Sequence, residues 1–417
     1  MMLPLRSAHA SVSRRRSFLE SLAGFRGEGI ETLLGETVVD LGGGAAQAVP
    51  TYTNAYWTAR QRQSHSLHEV SYRACFKPLL PRFFIERLTE PGERVHDPFL
   101  GRGTTALEAA LMGRRSGGCD VNPLALLLAA PRLTPPSLEQ VAARLAEIPW
   151  RDAVELRDDL AVFYHPDTLQ EVCALRRWFL ARAPLDPVDA WIRMVALNRL
   201  TGHSRGFFSV YTLPPNHMVP VQAQRRLNAE RNQVPPRRDV PALILRKTAQ
   251  LFRHLTATQR GHLAAAEPRL WTGRAQDPGP YPPASVDLVV TSPPFLDVLD
   301  YLRMNWLRLW FAGIEGRDIE LTSTSSLPAW QEAMLPAFQE MARVLRPGGF
   351  AAFEVGEVKC GRLLLEEAVL PVALRAGFAP VCVVVHAQSF TKTARCWGIL
   401  NNRVGTNSNR IVVLERP

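Results

Sequence analysis

Apolar residues recur at helical spacing from Phe76 to Leu88 (Phe76, Leu79, Leu80, Phe83, Phe84, Leu88), which predicts a helix there. Pro91-Gly92 breaks the chain, and Arg94–His96 reads as a short strand ending at Asp97. Thr105–Met112 reads as a helix and Arg115–Val121 as a second strand. Strand, Gly-containing turn, helix and strand make half of a doubly wound α/β unit. The pattern resumes at Val286–Val290, an apolar run between Pro282-Pro283 and Pro293-Pro294 that suits a buried parallel strand. Trp330–Leu345 is amphipathic and stops at Arg346-Pro347-Gly348-Gly349. Phe350–Val355 is a strand, Leu363–Ala376 a helix closed by Gly377, and Val381–Val385 and Ile411–Leu414 are further strands. The expected fold class is α/β.

Between the two halves, residues 136–265 show mostly helical patterning, so the sheet domain is expected over residues 51–135 and 266–417 with a helical insertion. Residues 1–50 carry Arg6, Arg14, Arg15, Arg16 and a Gly42–Gly44 patch without a clear element, and read as a loose basic arm able to touch a DNA backbone. Of the 417 residues 46% are hydrophobic and 21% charged, enough to build a core and too apolar for general disorder. No run approaches the roughly 18 apolar residues of a membrane span. The six cysteines are scattered without a Cys-x-x-Cys pair, and no His-x-x-x-His occurs, so neither a metal site nor a disulfide scaffold is expected. The net charge is +10. Much of it sits in residues 201–260, where ten Lys and Arg face only Glu230 and Asp239. A polyanion partner or a plain arginine bias explains such a surplus equally well.

Three stretches carry chemistry. Asp97-Pro98-Phe99-Leu100-Gly101-Arg102-Gly103-Thr104-Thr105 follows a strand and opens a helix. Glycines admit close backbone approach, and the free N–H groups of a helix start, with Thr104 and Thr105, suit an anionic group. Asp97 can meet a cationic one, so a ligand bearing carboxylate and ammonium together fits. A tight connection without ligand also fits this stretch alone. Asp120, about twenty residues on, stands where doubly wound folds bind a ribose; a helix cap is the competing reading. Thr291-Ser292-Pro293-Pro294-Phe295 leaves the apolar strand. Prolines stiffen the turn and leave carbonyl acceptors beside a hydroxyl and an aromatic ring, the groups that an exocyclic amino group on a flat base requires. A Pro-rich strand exit over a core Phe is the plain alternative.

Together these stretches resemble the amino-group DNA methyltransferases. Asp97–Thr105 resembles the cofactor motif, and Ser292-Pro293-Pro294-Phe295 resembles the catalytic motif in the Ser form typical of the cytosine-N4 branch. His68–Leu88, Leu345–Val355 and Thr406–Leu414, with Asn409 and Arg410, extend the likeness over more than half of the chain. The resemblance implies a Rossmann-like class I sheet and S-adenosylmethionine as cofactor, held by Asp97, Pro98, Phe99, Gly101, Gly103, Thr104, Thr105 and Asp120. It implies double-stranded DNA as partner, with a target base flipped out, stacked on Phe295 and hydrogen-bonded by Ser292 and Pro293. A cytoplasmic, nucleoid-associated bacterial monomer with a cognate restriction endonuclease fits this picture. Adenine N6, an RNA amino group, or a catalytically silent DNA-binding relative are the alternatives.

The Gly-Asp-Ala of the family is here Gly273-Arg274-Ala275, with Asp277 as the substitute. Asp300, Tyr301, Trp306 and Trp310 either wall a base pocket or pack a helix, and Phe207–His217 is either a DNA loop or a buried hairpin. The insertion takes the place of the target-recognition region, with Arg225, Arg226, Arg237 and Arg238 as DNA contacts. Replacing these four by Ala is expected to weaken DNA binding in a mobility-shift assay and leave cofactor binding intact; unchanged DNA affinity would refute the assignment.

Overall fold

Parallel pairing at the centre of one sheet organises the chain. In a computed structural model, residues 4–27, 29–42, 45–57, 64–72, 75–214, 218–294, 301–319, 326–355, 357–358, 363–387 and 408–417 are described. The sheet comprises β1 (Leu33–Gly42), β2 (Ala45–Asn54), β3 (Arg94–Asp97), β4 (Arg115–Asp120), β5 (Arg269–Thr272), β6 (Val286–Thr291), β7 (Leu345–Val355), β8 (Ala379–Ala387) and β9 (Ser408–Glu415). Their order is β1-β2-β8-β9-β7-β6-β3-β4-β5. β5, β4, β3, β6 and β7 run parallel, and β9 is antiparallel to both β7 and β8. Chain order reverses between β3 and β6, the hallmark of the Rossmann-like sheet that the motifs imply.

The helices are α1 (Pro4–Ala23), α2 (Leu79–Leu88), α3 (Thr104–Leu111), α4 (Pro123–Leu133), α5 (Leu138–Glu147), α6 (Pro166–Ala181), α7 (Pro187–Leu197), α8 (Val221–Glu230), α9 (Val240–Phe252), α10 (Ala257–Ala265), α11 (Tyr301–Ala312), α12 (Leu327–Val344) and α13 (Leu365–Arg375). β6 is buried almost throughout, as a strand covered on both faces must be. β4, Arg-Ser-Gly-Gly-Cys-Asp, is not apolar. Its glycines are demanded by packing: a Cβ on Gly118 would lie 2.6 Å from Leu100 Cδ1 and 2.7 Å from the Asp97 carbonyl.

Helices α5–α10 fall between α4 and β5 in the chain. They do not form a separate core. One apolar cluster runs from Leu107 and Leu128 on α3 and α4 through Leu175 and Trp191 to Leu307 on α11. Trp191 is fully buried, and its Nε1–H donates to Thr248 Oγ1 at 3.0 Å.

The first fifty residues differ from the loose arm expected of them. β1 and β2 form an antiparallel hairpin that extends the sheet by pairing β2 with β8. Leu33, Leu34 and Val38 on this edge are exposed and Pro50 sits within β2, which blurs the alternation a strand reading needs. Helix α1 packs Phe18 and Leu22, 1% and 0% exposed, into the cluster with Phe83, Phe84 and Phe350. Arg14 donates to both carboxylate oxygens of Glu93 at 3.0 and 3.1 Å, and Arg15 pairs with Glu415 at 3.2 Å. Glu93 precedes β3, so these pairs hold α1 at the amino ends of the parallel strands, opposite Asp97. These two arginines are therefore structural. Truncating Phe18 to Ala should cost about 3–5 kcal/mol and lower the Tm in calorimetry, whereas a loose arm would leave the Tm unchanged.

Candidate functional site

The carboxyl ends of β3 and β6 lie side by side, with Val95 opposite Leu288 and His96 opposite Val289. In open α/β sheets this reversal point forms the ligand crevice. Asp97 ends β3 with 1% exposure. Its Oδ1 accepts from Thr291 Oγ1 at 2.6 Å and from the Phe99 N–H at 3.1 Å. Burial pushes the Asp97 carboxyl up to about 6, against the opposing pull of the Thr291 hydroxyl. Thr105 Oγ1 donates to the Val290 carbonyl at 3.0 Å, a second tie between the two turns.

Gly101 and Gly103 have φ of +51° and +73°. Gly103 is the N-cap of α3, and a Cβ there would stand 2.5 Å from Ala129 Cβ. No side chain caps α3, so its first N–H groups remain for another acceptor. The threonines differ from their expected use. Thr104 Oγ1 accepts from Arg102 Nε at 3.1 Å, while Thr105 is turned to β6. Both side chains are buried and their hydroxyls bond within the fold. Pro98 places its carbonyl 3.5 Å from Cys119 Sγ, and Phe99 packs against the apolar cluster of β6 and β7.

At the end of β4, Asp120 Oδ2 accepts from the Gly101 N–H at 2.8 Å and Oδ1 from the Asn122 N–H at 2.9 Å. The cap of α4 is Asn122, whose side chain accepts from the Leu124 N–H at 3.0 Å. Asp120 therefore closes the glycine turn, and burial raises its pKa. Behind the turn, Arg102 donates to the carbonyls of Val70 and Phe76 at 3.1 and 3.3 Å. The fully buried Arg132 donates to the carbonyls of Leu128, Leu67 and Arg102. Burial depresses the Arg132 guanidinium to about 9. Beside it, buried His68 and Glu108 share a 2.7 Å hydrogen bond, with burial holding the imidazole down to about 4.

Beyond β6, Ser292 is half-buried and Pro293 buried. Across from Ser292 lies Glu354, a residue that the sequence patterning did not single out, whose carboxyl pKa the Ser292 hydroxyl lowers against the effect of burial. Glu354, next to last in β7, is 5% exposed, and its Oε1 accepts from Asn409 Nδ2 at 2.8 Å. Burial raises its pKa. The parallel register, Thr291 opposite Phe353, sets Ser292 beside Glu354. Trp330 Nε1 donates to the Pro294 carbonyl at 3.1 Å and fixes the proline turn. Phe295 and Asp300 lie outside the described residues, as do the side chain of Tyr301 and residues 215–217.

Trp306 and Trp310 pack against the helical cluster, and Trp306 Nε1 donates to the Val219 carbonyl. Within the loop ahead of α8, Phe208 is fully buried and Gly202 bridges to Tyr211. Asp277 Oδ2 lies 3.4 Å from the Arg274 N–H and caps its own loop. Arg225 and Arg226 are exposed on α8. Arg237 instead pairs with Asp167 at 3.1 Å. Arg238 is half-buried.

Residues 45–130 match the model of a DNA methylase family, the N6/N4 methyltransferases. Over 74 residues the chain is 35% identical to the type II methyltransferase M.MjaII of Methanocaldococcus jannaschii, a stretch that is 18% of this chain and 14% of that protein. Among solved structures, a DNA modification methylase from Thermus thermophilus is 24% identical with a TM-score of 0.20, covering 33% of this chain and 47% of that one. The rRNA methyltransferase AviRa from Streptomyces viridochromogenes is 12% identical with a TM-score of 0.33, covering 87% of this chain and 96% of that one.

The glycine turn is testable by itself. Gly103 and Gly92 have similar φ, +73° and +83°, but a Cβ at Gly92 meets nothing within 4 Å. Gly103→Ala should destabilise by more than the roughly 1–2 kcal/mol of left-handed backbone strain, and Gly92→Ala by that strain alone. Equal losses in denaturant titration would show that the approach to Ala129 does not constrain the turn.

Proposed function

We propose, from the premise that residues 45–130 place this chain among the amino-group DNA methylases, that it methylates an exocyclic amino group of a DNA base, the N4 of cytosine, in double-stranded DNA. The observation that carries this reading is the tie between Asp97 and Thr291, which sets the Ser292-Pro293-Pro294 turn against the Gly101–Gly103 turn. Nucleoid association, a cognate restriction endonuclease and monomeric action belong to the same proposal, as does the assignment of residues 136–265 to target recognition.

The residues fit S-adenosylmethionine. The uncapped start of α3 offers N–H groups to a carboxylate. The buried Asp97 carboxylate faces an ammonium, and Asp120 keeps acceptor capacity for ribose hydroxyls beyond its two backbone bonds. Gly101 and Gly103 keep side-chain bulk out of this cradle. When bound, the cofactor supplies an electrophilic methyl group on a sulfonium.

Ser292 and the Pro293 carbonyl accept hydrogen bonds from the target amino group and aim its lone pair. The Ser292 hydroxyl, by donating to Glu354, keeps its oxygen lone pairs for this task. Trp330 holds the Pro294 carbonyl, so the turn keeps one geometry. Phe295 stacks on the flipped base. Rate then comes from positioning and from polar groups fixed where charge develops.

Three experiments test the proposal. DNA treated with the protein and S-adenosylmethionine, then digested to nucleosides, should yield N4-methylcytosine in mass spectrometry. N6-methyladenine would overturn the cytosine assignment alone, and the absence of any methylated base would overturn the enzyme. Ser292→Ala should lower kcat by about 10²-fold or more, the scale for losing one positioned polar group, with cofactor affinity unchanged. The third experiment follows from Asp97. Its carboxyl sits near 6 without ligand, and an ammonium favours the ionised form, so binding below pH 6 must expel a proton. Cofactor affinity in calorimetry should fall about tenfold per pH unit below pH 6, and Asp97→Asn should bind weakly with no such slope. A flat profile for the unaltered protein would remove Asp97 from the cofactor site.

A further inference from the structure

Helix α8 is built unlike its neighbours in the helical layer. α9 buries Val240, Leu243, Ile244 and Leu251, an ordinary apolar stripe. The one buried residue of α8 is Gln224, 0% exposed. Amides, not apolar side chains, fasten its inner side. Gln224 Nε2 donates to the Tyr211 carbonyl at 3.1 Å and to Asn228 Oδ1 at 2.7 Å. Asn228 Nδ2 donates to the Val162 carbonyl at 2.7 Å. Gln233 Nε2, just past the helix, donates to the same Tyr211 carbonyl at 3.0 Å and to Asn228 Oδ1 at 2.8 Å. Arg231 lies over the Tyr211 ring at 4.1 Å. Directional bonds of this kind fix the rotation of a helix about its axis, and hence the side that faces out.

The outward side carries Gln222, Arg225, Arg226 and Ala229, all exposed. Their spacing of three, four and seven residues sets them on one face. Among the described residues, no ion pair or side-chain hydrogen bond uses Gln222, Arg225 or Arg226. Glu230 is the one acid of the helix, four residues after Arg226, and the two form no described ion pair. A helix this polar, without pairs along its surface, gains little from its own outer face. Two unpaired guanidiniums beside an amide and a methyl group are instead the groups that read base edges: an Arg fork pairs with guanine O6 and N7, and a Gln amide with adenine N6 and N7. The small Ala229 lets the helix approach closely. This selects among the four arginines expected from sequence. Arg237 pairs with Asp167 at 3.1 Å, and Arg238 is half-buried.

The segment that enters α8 is bonded twice to α11, the helix that follows the proline turn. The Met218 N–H donates to the Met304 carbonyl in the first turn of α11 at 2.8 Å. Trp306 Nε1 donates to the Val219 carbonyl at 3.1 Å, two residues before α8 begins. Pro294 and Tyr301 are seven residues apart, so at most about 25 Å of chain separates the proline turn from the start of α11. That is less than one turn of duplex, about 34 Å. A duplex seated with its target base at the proline turn passes the start of α11, and the entry to α8 joined to it, within about one turn.

We propose that α8 is the reading helix of this chain: it enters the major groove beside the target base, with Arg225 and Arg226 on guanines and Gln222 on an adenine. This rests on the reading of the chain as a DNA methylase and names the element that would select its site. The test uses the full chain, S-adenosylmethionine and a pool of random-sequence duplexes, with methylated products sequenced and duplex affinity followed by fluorescence anisotropy. The unaltered chain should select particular bases within about one turn of the methylated one, a guanine among them. R225A and R226A should each lower discrimination at a guanine by roughly 5- to 100-fold, and Q222A at an adenine, with other positions unchanged. A229E, which sets an acid and its bulk on the same face, should abolish duplex binding. Because all four residues are exposed, the Tm and the S-adenosylmethionine affinity in calorimetry should stay as in the unaltered protein. An arginine variant that weakens every sequence equally and flattens the slope of log K against log salt by about 1 marks a phosphate contact and overturns base reading. Variants that keep both the preferred sequence and the affinity overturn the reading helix and leave the methylase reading intact. An unaltered chain that methylates no duplex overturns both.

Discussion

The hydrogen bond from Thr291 to Asp97 joins residues 194 positions apart and fixes where everything else at the crevice can lie. Asp97 ends a strand whose carboxylate would otherwise be buried without compensation, an expensive arrangement. The Thr291 hydroxyl and the Phe99 N–H supply the missing partners. For Thr291 to reach Asp97, β6 must lie beside β3 in parallel register. That pairing sets the glycine turn and the proline turn side by side. The further bond from Thr105 to Val290 makes the start of α3 part of the same unit. The two turns are rigid with respect to each other because both ties are buried and short.

A second set of buried polar groups supports the first from below. Arg102 and Arg132 send their N–H groups to backbone carbonyls of the segment before α2, of α4, and of the glycine turn itself. A buried guanidinium without acidic partners is tolerable when carbonyls take up its donors. Arg308, also fully buried, follows the same rule through Leu197 and Asn305. These cations hold loops to helices and are buried away from direct contact with a ligand. The helical layer shares one apolar core with α3 and α4.

The proline turn shows how neighbouring strands divide the work. β6 delivers Ser292, β7 delivers Glu354, and β9 delivers Asn409 to Glu354. Trp330 on α12 holds the proline turn from its other side. The groups come from distant parts of the chain and meet at the carboxyl end of the parallel strands.

The sequence by itself determined most of the sheet and the two turns. Strands β3, β4, β6, β7, β8 and β9 were legible because buried strands read as short runs between Pro and Gly breaks. The glycine and proline turns were legible because their backbone needs particular residues. Tertiary structure alone decided the rest. Glu354 is one acid at a strand end, and only register beside β6 turns it toward Ser292. Thr104 and Thr105 looked like ligand groups until packing turned both hydroxyls inward. Helix α1 looked like a loose basic arm, because no local pattern reveals that Glu93 and Glu415 await its arginines. Arg237 and Arg246 are indistinguishable by composition; only the fold brings Asp167 to Arg237. Local sequence fixes backbone preference and burial, while the partner of a polar side chain is a fact of three-dimensional proximity, set by residues far away in the chain.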